Sequence, residues 1–203
     1  MTQKQKQRTH HLAVAAMLTA VAAVLQFIEF AIPLMPAFIK LDISDLPALL
    51  GTFSLGPVYG VAIQLAKNLL HLPFGSSAGV GELSNFILGA VFVFVAGIIY
   101  KHNKSRKSAL VGSVAGAAAM ALVSIVTNYF IVYPAYVVLY KLPLEAIVGM
   151  YEAILGGVSH VPTQNALLNC LLVFNVPFTL VKGLLDTALC FLIYKPLSPL
   201  LHR

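Results

Sequence analysis

The chain has 203 residues, of which 59% are hydrophobic and only 10% charged, against about a quarter charged in a soluble domain. With a mean hydropathy of +0.89, this composition excludes an ordinary soluble protein and defines an integral membrane protein. The net charge of +6 comes from basic residues in short clusters between apolar runs, so it marks the cytoplasmic face of a membrane and not a nucleic-acid surface.

Residues 1–11 read as a polar, cytoplasmic tail with Lys4, Lys6 and Arg8, followed by a first span over 12–32. That span lacks a small-residue cleavage site and is expected to stay as an anchor. Ala16 and Ala20 lie four apart on one helix face and form a smooth strip for close helix approach, either inside the protein or against a partner. Gln26 and Glu29 fall near the outer end of the span.

Residues 33–45 are expected to form an outer loop. Pro33, Pro36 and Pro47 bias the backbone away from helix, so the whole stretch 38–51 reads as irregular. It concentrates Lys40, Asp42 and Asp45 in an otherwise apolar region. In an extended chain Phe38, Lys40 and Asp42 point away from Ile39, Leu41 and Ile43, so one set can cover an apolar group while the other faces water.

Residues 46–72 fit one long span or two short ones. A turn at Gly56-Pro57 makes six spans in all and puts the N-terminal cluster, the cluster Lys101, Lys104, Arg106 and Lys107, and the C-terminal Lys195 and Arg203 on one cytoplasmic side. Charge bias favours that arrangement. The second element, 46–55, is then too short to cross lipid unless protein shields it.

In the third element, 58–72, Gln64, Lys67, Asn68 and His71 recur at i, i+3, i+4 and i+7, a single polar stripe. A loop over 73–81 leads to a fourth span, 82–100, in which Glu82, Asn85 and Gly89 share a face. The basic loop 101–107 follows, then a fifth span over 108–139, long enough that it must tilt or break, with Pro134 the expected place. Ser124, Thr127 and Asn128 lie on one of its faces, while Tyr129, Tyr133, Tyr136 and Tyr140 read as an interfacial aromatic belt. Residues 141–170 read as an outer loop with a short interfacial helix. In the last span, 171–194, Thr179, Lys182 and Asp186 share a face, and the tail after it carries Pro196 and Pro199. Cys170 and Cys190 lie in or near apolar helix and are expected to be packing residues.

Threaded through six spans, Gln26, Glu29, the 64–71 stripe, Glu82, Asn85, Thr179 and Lys182 all map to the outer half of the membrane. Charged and amide groups are costly in lipid unless they face a bundle interior, so their convergence implies a polar cavity open to the outside. The structural alternative is that Lys182 neutralises Asp186 and Lys67 neutralises Glu82, leaving no unmet group. Catalysis finds no support. The run 75–81 is rich in glycine but is followed by Glu82 and not by Lys-Ser or Lys-Thr, so it is no phosphate-binding loop, and no metal-ligand or nucleophile motif is present. The chain is therefore not expected to be an enzyme or to hold a metal or cofactor.

Taken together, Ala-Met-Leu-Thr-Ala at 16–20, Phe-Ile-Lys-Leu-Asp-Ile-Ser-Asp-Leu-Pro-Ala-Leu-Leu-Gly at 38–51, Lys67-Asn68-Leu-Leu-His, Gly-Val-Gly-Glu-Leu-Ser-Asn-Phe at 79–86, Thr127-Asn128-Tyr-Phe and Pro177-Phe-Thr-Leu-Val-Lys-Gly resemble the riboflavin-binding S-components of energy-coupling factor (ECF) transporters. The chain departs from that pattern at Thr179, where the family often has Asn. The resemblance implies an all-α fold of six transmembrane helices, the second short, with both termini cytoplasmic, in the cell membrane of a bacterium. It implies that riboflavin is captured from outside in an outer-half pocket that the loop at 33–45 closes over. The residues implicated in that pocket are Ile39, Leu41, Asp45, Lys67, Asn68, Gly81, Glu82, Asn85, Asn128, Thr179 and Lys182. It further implies partners, namely one transmembrane coupling protein and two cytoplasmic ATPases that spend the ATP, with Ala16 and Ala20 as the coupling face. An S-component for another vitamin would share the fold and the alanine pair but not the loop and lysine motifs. An ion-driven secondary transporter would need inward polar access and internal repeats, and the sequence has neither.

Overall fold

Helix α1, Gln3–Phe27, begins inside the stretch expected to be a polar tail. Thr2 nucleates it with a capping box: its hydroxyl accepts from the Gln5 amide at 3.3 Å while the Gln5 side chain accepts from the Thr2 amide at 2.9 Å, and the Lys and Gln that follow are good helix formers. This computed structural model describes residues 2–33, 35–36, 39–141, 143–154 and 165–201. The helix stops at Phe27, five residues short of the expected end, and the chain then forms a small antiparallel hairpin, β1 (Phe30–Ala31) with β2 (Lys40–Leu41), in the register Phe30 to Leu41 and Ala31 to Lys40. Among the described residues this ribbon is the only strand structure beside the helices; Phe38, at the start of the expected loop, lies outside them.

Helix α2 runs Asp45–Leu55, which corrects the expectation of irregular backbone through residue 51. Pro47 is compatible with it because it sits in the first turn, where its missing N–H would have had no helical partner. All nine residues from Asp45 to Phe53 are buried, as α2 packs against α1, α3, α4 and α9. A helix too short to span lipid is thus sheathed in protein, the condition under which it can lie at membrane depth. Gly56, at φ +110°, turns the chain, a conformation that a side chain would strain, and Pro57 opens α3, Pro57–His71.

Among the described residues, four stretches are long and apolar enough to cross a membrane: α1, α4 (Val80–His102), the run Arg106–Tyr140, and the run Ala166–Ile193. The basic loop shrinks to 103–105, because α4 reaches His102 and α5 (Arg106–Thr127) starts at Arg106 with Ser105 as its cap. These two helices pack closely through small residues; a Cβ on Gly116 would lie 2.5 Å from the Phe92 carbonyl oxygen.

The long runs are each interrupted by one turn of π-helix just before a proline. Asn128–Val132 precedes α6 (Tyr133–Tyr140), with Pro134 in its first turn, and Leu171–Asn175 precedes α9 (Val176–Leu201), with Pro177 in its first turn. Proline lacks an N–H and crowds the carbonyl four residues back, and widening the preceding turn relieves both. Two expectations change here. The break falls at 128–132, a turn earlier than Pro134, and the last long run starts at Ala166 through α8 (Ala166–Cys170), so residues 166–170 are part of it and not of an outer loop. Within that loop region α7, Leu144–Ile154, packs inward through buried Ile147 and Tyr151. The backbone of α9 also continues helically past Pro196 and Pro199, where a short tail was expected. Cys170 and Cys190 are free, buried members of the two hydrophobic clusters.

Candidate functional site

The polar stripe of α3 faces inward and every member is engaged. Gln64 donates to Asp45 Oδ1 at 2.9 Å, Lys67 to Asp45 Oδ1 and Ser44 Oγ at 2.5 Å each, Asn68 accepts from Gln26 at 3.0 Å, and His71 Nδ1 lies 3.0 Å from Glu82 Oε1. The α-helical spacing alone aligns the four, and the acids they meet come from two other elements: Asp45 heads α2, where the helix dipole favours it, and Glu82 lies in the first turn of α4.

A second centre forms around Lys182 on α9. Its ammonium donates to Asp42 Oδ2 at 2.8 Å and Asn85 Oδ1 at 3.3 Å, and lies 3.4 Å from Asp45 Oδ2. Asp42 is turned inward by a local loop in which its other oxygen accepts from the amide and hydroxyl of Ser44. Burial by itself would push the Asp42 carboxyl up, but the Lys182 ammonium, with Lys67 behind it, outweighs burial and holds it below the ordinary carboxylate value. The expected neutralising pairs are thereby corrected: Lys182 engages Asp42 and Asp45 and not Asp186, and Lys67 engages Asp45 and not Glu82, whose partners are His71 and Ser77.

These centres back a cavity of about 160 Å³ that opens to the surface. Its walls come from the end of α1 and the hairpin (Gln26, Glu29, Ile39, Lys40, Asp42), the start of α4 (Gly81, Glu82, Asn85, Leu88), the first π-turn and α6 (Asn128, Tyr133, Tyr136), and the second π-turn and α9 (Asn175, Phe178, Thr179, Lys182). The mouth carries a Lys40–Glu29 ion pair that ties the hairpin back to the end of α1. The lining suits a small organic molecule with a flat apolar part and several polar edges.

Of the residues expected at the site, Ile39, Gly81, Glu82, Asn85, Asn128, Thr179 and Lys182 line this cavity. Leu41, Asp45, Lys67 and Asn68 do not. Asp45 and Lys67 are fully buried and satisfy each other one layer behind the wall, Asn68 is taken up by Gln26, and Leu41 is buried away from the cavity. Strict alternation in 38–43 also fails: Leu41 and Asp42 are both buried, and the set expected to face water supplies Lys40 and Asp42 to the cavity.

Tyr133 and Tyr136, expected in an aromatic belt, are only 1% and 8% exposed and line the cavity. Tyr133 and Tyr151 share a hydroxyl contact of 2.5 Å, Tyr151 donates to Asn175 Oδ1 at 2.6 Å, and Asn175 donates to the Tyr133 hydroxyl at 3.2 Å, which locks α7 to α6 and to the second π-turn. Asn175 escaped sequence reasoning. The available signal was an asparagine in an apolar run two residues before a proline. Ala16 and Ala20 lie on the exposed side of α1.

Comparison with known proteins follows from this geometry. The family model for the substrate-specific component of ECF transporters matches residues 10–194. The "Riboflavin transporter RibU" of Staphylococcus aureus is 34% identical, over 97% of this chain and 95% of its own. The "Riboflavin transporter FmnP" of Bacillus subtilis is 30% identical, over 95% and 94%. A solved structure of the S component of a bacterial ECF transporter superposes with a TM-score of 0.72 at 34% identity, covering 97% of this chain and 99% of that one.

Proposed function

The chain belongs to the family of ECF transporter substrate-specific components, and we propose that within it the protein captures riboflavin from outside the cell as the substrate-binding subunit of an ATP-driven transporter. It is a transport subunit and not an enzyme. The observation that carries the ligand reading is the charge state of the cavity. Both of its lining ammonium groups, Lys40 and Lys182, are already matched by acids, while neutral donors and acceptors such as Asn85, Asn128 and Thr179 stand beside apolar Ile39, Leu88 and Phe178. Riboflavin has this character: an uncharged ring system with polar edges and a hydroxylated chain. Segment 33–45 acts as the cover, held by acid–base contacts that include Lys40 with Glu29 and Asp42 with Lys182.

Quenching of flavin fluorescence by the purified protein is the direct test, and the absence of tryptophan keeps the flavin signal unobscured. Riboflavin is expected to bind tightly and its 5′-phosphate about tenfold more weakly or worse, because the phosphate would meet Glu29, Asp42 and Glu82 while both lysines among the described lining residues are already paired. Failure of riboflavin to bind, with tight binding of another vitamin, would reassign the ligand.

In this reading the ATP is spent by two cytoplasmic ATPases that act through a transmembrane coupling protein, with Ala16 and Ala20 at the coupling face. The membrane arrangement proposed is six elements, α2 and α3 forming the second and third, with both termini cytoplasmic and the protein in the bacterial cell membrane. A cysteine placed at Ser105, between α4 and α5, is expected to resist a membrane-impermeant reagent in intact cells and react in broken ones; labelling in intact cells would reverse the orientation.

A further inference from the structure

Asp186 of α9 is fully buried, and neither of its carboxyl oxygens has a hydrogen-bond partner. It lies one turn beyond Lys182, yet the three protons of that ammonium face Asp42, Asn85 and Asp45. Lys67 is likewise committed, to Ser44 and Asp45. The charges felt at Asp186 are those of Asp45 on α2, Lys182 on its own helix, Asp42 from the outer segment and Lys67 on α3, with the Cys190 thiol one turn further on. On α5 the Ser113 hydroxyl is likewise buried without a hydrogen-bond partner.

Charge counting decides what such a group must be. Two ammonium groups are matched by Asp42 and Asp45, so an ionised Asp186 would leave the cluster with an unmatched negative charge in a medium where an uncompensated ion costs several kcal/mol. A metal ion is a poor alternative. Among the described residues no three His, Cys, Asp or Glu side chains converge as ligands. Room is also short, since α9 is pressed onto α5 one turn away, where a Cβ on Gly183 would come within 2.7 Å of the Ala117 Cβ.

We propose that Asp186 is a proton-binding site, loaded at neutral pH, whose proton brings the buried cluster of Asp42, Asp45, Lys67, Lys182 and Asp186 to zero net charge. Asp186 stands outside the cavity wall, so the site is separate from ligand contact and does not depend on the ligand being riboflavin. Its loss of the proton would set a free carboxylate one turn from Lys182, in competition with Asp42 for the cation that holds the outer segment.

Infrared spectroscopy of the ligand-free protein in lipid tests this directly. The C=O stretch of a protonated carboxyl is expected at neutral pH in the wild type, missing in Asp186→Asn and displaced in Asp186→Glu, so that either variant suffices to assign it. Asp186→Asn, which mimics the neutral acid, is expected to melt at or above the wild-type temperature, whether sodium or choline is the salt. Absence of the band in the wild type, or a band unchanged in both variants, would overturn the proposal. So would a wild-type melting temperature that falls when choline replaces sodium while that of Asp186→Asn does not, since the site would then hold a metal ion.

Discussion

Replacing Lys182 by Met is expected to weaken riboflavin binding by tenfold to about a hundredfold or more and to lower the melting temperature as well. The first effect is the loss of a charged hydrogen-bond donor at the cavity wall, worth about 1.5–3 kcal/mol. The second follows from the cluster. Lys182 is the cation opposite Asp42, and it also stands 3.4 Å from Asp45, so removing it strands a buried carboxylate at about 3–5 kcal/mol. The two effects separate in the double variant Asp42→Asn with Lys182→Met, in which the stranded charge is gone. That protein should recover much of its thermal stability while its affinity stays low. Fluorescence quenching and thermal melts on the same samples report the two quantities, and an unchanged affinity in Lys182→Met would remove this residue from the binding site.

Ala16→Trp and Ala20→Trp should do the reverse: riboflavin binding near the wild-type value, with complex formation and ATP-dependent uptake lost. Both alanines are exposed on α1, and the cavity residue nearest them on that helix, Gln26, lies six residues on from Ala20, about 9 Å at 1.5 Å per residue. Close helix approach requires small side chains, so a bulky indole there separates a partner helix without reaching the cavity. The neighbouring exposed Met17 and Val24, 61% and 62% accessible, show that this side of α1 is not consumed by internal packing. Co-purification with the coupling protein and ATPases, beside flavin binding on the isolated subunit, distinguishes the outcomes. Normal uptake with normal binding would place the coupling surface elsewhere, and parallel loss of binding would make the strip structural.

What the sequence determined by itself was everything that depends on composition and helical period. Apolar content and the basic clusters called for a membrane protein. The spacing of Gln64, Lys67, Asn68 and His71 put four polar groups on one face, and the structure buries all four. The turn at Gly56-Pro57 was legible because glycine and proline restrict the backbone locally. Segment 38–51 was harder, since proline bias is local whereas the helix from Asp45 is imposed by burial against four neighbouring helices. Which cation meets which acid was beyond reach. Asp42 and Lys182 are 140 residues apart, and nothing in periodicity selects that pair over Lys182 with Asp186, four apart on one helix. The π-turns were hidden for a related reason: one widened turn shifts the register of every residue after it, which carried Tyr133 and Tyr136 from an expected lipid-facing belt into the cavity. Helical spacing says which groups share a face, and only the packed tertiary structure, by removing water from all of them together, decides which partners each must take.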